Sequence, residues 1–113
     1  MTKITAENIN ALAAMVRKGN EQWWVNLRTG KPLKRNVGEM LMLCVSELSE
    51  AMEGHRKGLK DDKLPHRPML EVELADCLIR ILDISGGLGL DLGGAFIEKL
   101  AYNRVRPDHK REN

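Results

Sequence analysis

Aromatic side chains are scarce in this 113-residue chain, at 4% of the total: Trp23, Trp24, Phe96 and Tyr102. A core must therefore be assembled from Leu, Ile, Val, Met and Ala, the composition of packed helices. Cysteine is nearly absent as well, with Cys44 and Cys77 alone. Both lie inside apolar helical patterns, no CxxC exists, and His55, His66 and His109 are dispersed. That excludes a zinc site of ordinary spacing and predicts two reduced core thiols in a cytoplasmic protein. Neither sign of charge dominates, since 18 basic and 16 acidic side chains leave a net charge of +2. A whole-protein electrostatic footprint for nucleic acid is therefore missing, and the basic residues near the end (Arg104, Arg106, Lys110 and Arg111) have an ordinary reading as a solvated terminus. No apolar run approaches the roughly 20 residues of a membrane span, and the short one from Leu12 to Val16 lacks the flanks of a signal peptide. The expectation is a soluble protein with no membrane partner.

What is present is the pattern of one all-α domain over residues 1–113, with four to five helices. A monomer of this size buries only about two-thirds of its unfolded surface, so help from a partner subunit is expected. The first helix is predicted from about Thr5 to Trp24, with Ile9, Leu12, Ala13 and Val16 at helical spacing. A polar loop with Gly30 and Pro32 follows. Asn36, with Glu39 three residues on, resembles a capping box and opens a second helix running to about His55 and ending near Gly58. Pro68 suits the first turn of a third helix, predicted to reach about Ser85 and stop at Gly86-Gly87. Asp91 then caps a fourth, Leu92 to about Arg104, closed by Pro107.

Two spacings carry chemical interest: Glu47-x-x-Glu50 on the second helix and Glu73-x-x-Asp76 on the third. A separation of three places both carboxylates of each pair on one helix face. Two such helices packed antiparallel would aim four carboxylates into one volume, an arrangement that repulsion makes costly unless a divalent cation neutralises it. Hard oxygen ligands suit Mg²⁺, with Mn²⁺ as a substitute. The second helix also gathers Glu39, Ser46, Glu47, Ser49, Glu50 and Glu53 into a broad polar arc that, taken alone, a solvent face explains better. The third is apolar nearly all round, with a narrow stripe of Glu73, Asp76, Arg80 and Asp83. Its bland alternative is an Asp76–Arg80 pair at i,i+4, which contributes only a few tenths of a kcal/mol. On the fourth helix, Lys99, Asn103 and Arg106 form one stripe suited to a polyphosphate, although a basic C-terminal stripe is also favoured by the helix dipole.

These elements, in this order, resemble the all-α nucleoside triphosphate pyrophosphohydrolases of the MazG-like superfamily, which carry ExxE, a spacer, then ExxD. The strings are SELSEAMEGHRKG, EVELADCLIRILD and EKLAYNRVRP, between Asn36 and Pro107, about two-thirds of the chain. Many relatives write EExxE, where this chain has Ser46 at the leading position.

The resemblance implies a homodimer or homotetramer that hydrolyses (deoxy)nucleoside triphosphates to monophosphate and pyrophosphate, in nucleotide-pool housecleaning. Glu47, Glu50, Glu73 and Asp76 would hold Mg²⁺, with Glu50 as the preferred general base. Lys99, Asn103 and Arg106 would hold phosphates, and Trp23 or Trp24 would stack on the base. Adjacent helical residues point about 100° apart, so at most one of the two tryptophans should face the pocket. Three rivals stand beside this reading. A di-iron carboxylate bundle is disfavoured because no Glu is followed by His three residues later. A non-catalytic helical interaction dimer would leave its acidic faces to solvent. A phosphoribosyl-ATP pyrophosphohydrolase would share the metal site and differ in substrate.

Overall fold

The computed structural model describes residues 3–105. Four α-helices account for most of them: α1 (Ala6–Gly19), α2 (Val37–Lys57), α3 (Met69–Leu88) and α4 (Leu92–Val105), with a short 3₁₀ turn at Glu21–Trp23. Among the described residues there is no strand, only two isolated bridges, Val25–Pro32 and Lys60–Pro68, that pin the two longer loops. The all-α expectation is met.

Local chemistry explains the helix starts. Thr5 closes a full capping box on α1, its hydroxyl accepting from the Asn8 N–H while the Asn8 side chain accepts from the Thr5 N–H. Asn36 caps α2 by accepting from the Glu39 N–H at 2.9 Å; the bond is one-way. Asp91 does the same for α4 by accepting from the Gly94 N–H at 2.9 Å. That contact, together with the bond from the Asn10 amide, holds the Asp91 carboxyl below its usual range, the Asn10 contribution being the larger. α2 and α3 both end against a glycine in the left-handed region, Gly58 and Gly89, where a side chain would be strained.

Two expected boundaries need correcting. α1 stops at Gly19 rather than Trp24, because the chain tightens into the 3₁₀ turn that splits the two tryptophans. α3 runs through Gly86-Gly87 to Leu88. Those glycines are packing residues inside the helix: a Cβ on Gly86 would meet the Ala13 carbonyl oxygen at 2.6 Å, and one on Gly87 would overlap the Trp24 ring. They let α1 and the Trp24 indole press directly on the α3 backbone.

α2 and α3 form the central antiparallel pair. Their register is set by Gly54 against Met69 at the loop end, Cys44 beside Cys77 in the middle and Met40 near Ile84 at the far end. Trp24, Met40, Cys44, Cys77 and Ile84 form the central buried cluster, and Ala13, Ala51 and Leu82 are buried as well. Both thiols are free and buried, as expected, and burial followed by the neighbouring Cys77 pushes the Cys44 thiol up. α1 lies across the second half of α3, and α4 turns back onto α1. There the Ala6 backbone meets Gly93 closely, and the Asn10 side chain bridges the Gly93 N–H and the Asp91 carboxylate. α4 thus sits on α1, away from the α2–α3 face that carries the acidic residues.

Candidate metal and polyphosphate site

The antiparallel register brings the two acidic motifs together. Glu47 of α2 and Glu73 and Asp76 of α3 each place a carboxylate oxygen within 4.8 Å of the others. Glu50 is not in this trio; it stands exposed one turn along α2, close enough for its charge to act on Glu73. Three negative groups so close cannot all ionise freely. The Glu73 carboxyl is pushed up to about 7, first by burial, then by the hydrogen bond and charge of Glu47, and then by Asp76 and Glu50. Burial and the neighbouring carboxylates thus favour the protonated form of Glu73, which is hydrogen-bonded to Glu47. The donor set consists entirely of carboxylate oxygens from two rigid helices, which fits a small hard divalent cation rather than a thiophilic one.

Arg80, one turn beyond Asp76 on α3, supplies the remaining counter-charge. Its Nε donates to Glu47 Oε2 at 2.6 Å, linking α3 to α2. The i,i+4 pairing with Asp76 that spacing alone allows is not the one formed. Glu47 is largely enclosed, at 13% side-chain exposure, whereas Arg80 keeps 41%.

Two members of the trio, Glu47 and Asp76, line a cleft of about 480 Å³ together with Asn20, Trp23, Arg35, Leu43, Ile79, Arg80 and Asp83. It holds the carboxylates of Glu47, Asp76 and Asp83, the exposed Trp23 ring and two guanidinium groups, that of Arg35 and that of Arg80, which is bonded to Glu47. The adjacent tryptophans part company: Trp23 is 59% exposed and lines the cleft, whereas Trp24 is 7% exposed and belongs to the core. The Trp24 indole N–H donates to Asp83 at 2.9 Å, and its ring lies under the Arg35 guanidinium at 4.6 Å. Arg35 is further held by a bond to the Trp23 carbonyl at 3.0 Å. Of the two candidate base contacts, Trp24 is thus taken up by packing and Trp23 remains available.

The basic stripe of α4 is not brought to this cleft within one chain. Lys99 sits over the Tyr102 ring, Nζ 4.7 Å from its centre, and no residue of α4 lines the cleft. The Asn103 side-chain oxygen is buried without a hydrogen-bond partner among the described residues. Arg106 lies outside the described residues. Arg35, Arg80 and Asp83 are cleft residues that the helical spacings did not assign. Arg80 and Asp83 were visible in the narrow polar stripe of α3, but Arg35 reaches the cleft from a loop and leaves no periodic signal. Comparison with protein-family models, curated proteins and solved structures finds no match for this chain.

Proposed function

We propose that this chain is a Mg²⁺-dependent hydrolase of (deoxy)nucleoside triphosphates, of the MazG-like kind, that releases monophosphate and pyrophosphate. The observation that carries the reading is the convergence of Glu47, Glu73 and Asp76 from two helices at the edge of a cleft that also holds an exposed tryptophan. The cleft is large enough for a nucleotide, and its contents sort by chemistry: oxygen ligands for a cation, guanidinium groups for phosphates, an aromatic face for a base. When bound, Mg²⁺ supplies charge neutralisation on the polyphosphate and a more acidic water.

The chain's own residues do the rest. Glu47, Glu73 and Asp76 hold the cation, and Glu50, free at the solvent side, completes the ligand set or takes the proton of the attacking water. The water oxygen bonds to the α-phosphorus as the bond to the pyrophosphate oxygen breaks, and the proton passes to the carboxylate base. Trp23 stacks on the base, since an exposed aromatic face accepts any base.

The active form is a homodimer or homotetramer. Support comes from apolar residues left exposed on the acidic helices themselves, such as Leu41, Val45 and Met52 on α2 and Leu74 and Leu78 on α3. In such an assembly the Lys99–Asn103 stripe of one chain reaches the cleft of another. The non-catalytic interaction dimer draws on the same exposed faces and on the distance of α4 from the cleft.

The deciding experiment is a panel of ribo- and deoxyribonucleoside triphosphates with Mg²⁺, scored separately for pyrophosphate and orthophosphate. Pyrophosphate with monophosphate, abolished by chelation, is the expected result. No product from any member, together with no Mg²⁺-dependent rise in melting temperature, would favour the interaction dimer.

A further inference from the structure

We propose that Arg80 is a phosphate-binding residue held in reserve: it occupies Glu47 while the cluster lacks a cation, and turns to the substrate's phosphate oxygens once Glu47 is engaged. The inference rests on the metal reading above and deepens it. Four observations lead to it. Arg80 bonds to Glu47, the one α2 member of the carboxylate trio, rather than to Asp76 on its own helix. It uses only Nε to do so, and among the described residues its terminal amino groups make no other hydrogen bond. The side chain lines the cleft and remains 41% exposed, so its guanidinium can move without unpacking a core. Arg35 lines the same cleft but is tied to the Trp23 carbonyl and the Trp24 ring, whereas the one bond of Arg80 is to a carboxylate of the trio itself.

The physical argument is competition for one carboxylate. A divalent cation and a guanidinium that share Glu47 repel each other, so a cation at the trio weakens the hold of Glu47 on Arg80. The freed fork stays on α3, beside Asp76 and over the cleft, where two parallel N–H donors match a phosphate edge. Occupation by the cation and binding of the polyphosphate are then positively coupled, and the coupling is reciprocal.

The test uses the full chain with two probes, Mn²⁺ alone and inorganic tripolyphosphate in the presence of Mn²⁺, both followed by calorimetry. Arg80→Met removes the competitor, so Mn²⁺ should bind several-fold more tightly than to the wild type. It also removes the phosphate fork, so tripolyphosphate should bind about ten- to a hundredfold more weakly, the scale of one charge-assisted contact. Arg80→Lys, which keeps the charge without the fork, should fall between. Loss of one positive charge alone would already move the two probes in opposite directions, so the signature is a tripolyphosphate affinity that also falls in Arg80→Lys, which keeps the charge; wild-type affinity there overturns the inference. Mn²⁺ binding that Glu47→Gln abolishes but Arg80→Met leaves unchanged or weakens overturns the inference and spares the metal reading. So does unchanged tripolyphosphate affinity in Arg80→Met. Failure of the wild type to bind Mn²⁺ at all overturns both.

Discussion

Proton ownership inside the carboxylate trio governs the behaviour of the site at the residue scale. Glu73 titrates near 7 in the folded chain against 4.5 for the free side chain. Between those values the folded state keeps a proton that the unfolded state has released, so stability falls as pH rises across that window. Below about pH 4.5 the penalty is absent, and above about 7 it is complete. Water at the open side of the cleft holds the loss to about 1–2 kcal/mol. Asp91 and Glu53, whose carboxyls are lowered, act below this window and do not mask it. Melting temperatures measured in chelator should therefore drop from pH 5 to pH 8, and Glu73→Gln should flatten the trend; an unchanged slope in the variant would remove Glu73 as its source. Because the cation requires the ionised carboxylate, Mg²⁺ should stabilise the protein more at pH 8 than at pH 5, with release of protons on binding. Substitutions in the trio and beside it separate two roles. Asp76→Asn should lose both Mn²⁺ binding and turnover while the helices stay folded. Glu50→Gln, outside the trio, should lose turnover and keep Mn²⁺ binding if it serves as the base; loss of both would make it a ligand.

Individual elements show what could and could not be foreseen from the chain. The helices and most of their ends were legible because their signals are local: Asn36 and Asp91 cap the helices expected of them, and Gly58 ends α2 as its position suggests. Gly86-Gly87 misled because the reason for those glycines lies across an interface, in Ala13 of α1 and in the Trp24 ring, and helical spacing carries no trace of it. The partner of Arg80 was hidden in the same way. Its near neighbour at i,i+4 is Asp76, but antiparallel packing offers Glu47 in a more enclosed position, and the tertiary partner wins. Of the four acidic motif residues the antiparallel packing of α2 on α3 brings three together, Glu47, Glu73 and Asp76, and leaves Glu50 outside, a distinction that a three-residue spacing does not encode. Gly87→Ala tests the packing account: its Cβ overlaps the indole, so the Trp24–Asp83 bond or the α1 contact has to give. A loss of about 1–3 kcal/mol is expected, against a gain if the position were an ordinary exposed helix site, and thermal unfolding distinguishes the two.

For the whole molecule the question is what covers the apolar surface. The Cα radius of gyration is 17.0 Å, against about 13 Å for a compact domain of this length, and the largest extent is 56 Å. Leu78 on α3, about 100° round the helix from the buried Cys77, is 52% exposed, and other apolar residues of the two central helices are exposed too, Leu41, Val45 and Leu74 among them at 52%, 49% and 48%. If a second copy covers these residues, Leu78→Glu should yield monomers in size-exclusion chromatography with light scattering, and should remove activity although Glu47, Glu73 and Asp76 are untouched. The position of α4 sharpens the point, because Lys99 does not reach the cleft of its own chain. A site assembled from two subunits has a consequence that mixing reveals. Take one chain inactivated at Glu73→Gln and another inactivated at Lys99→Ala, and let them exchange subunits. In the mixed dimer one site inherits both lesions and the other inherits neither. With random exchange about a quarter of the wild-type activity should return, as two-fold symmetry dictates. If Lys99 serves its own chain's carboxylates, every site in the mixture carries a lesion and no activity returns. Recovery would assign the stripe to the partner; its absence, with both parents folded and dimeric, would require α4 to swing onto its own cleft instead.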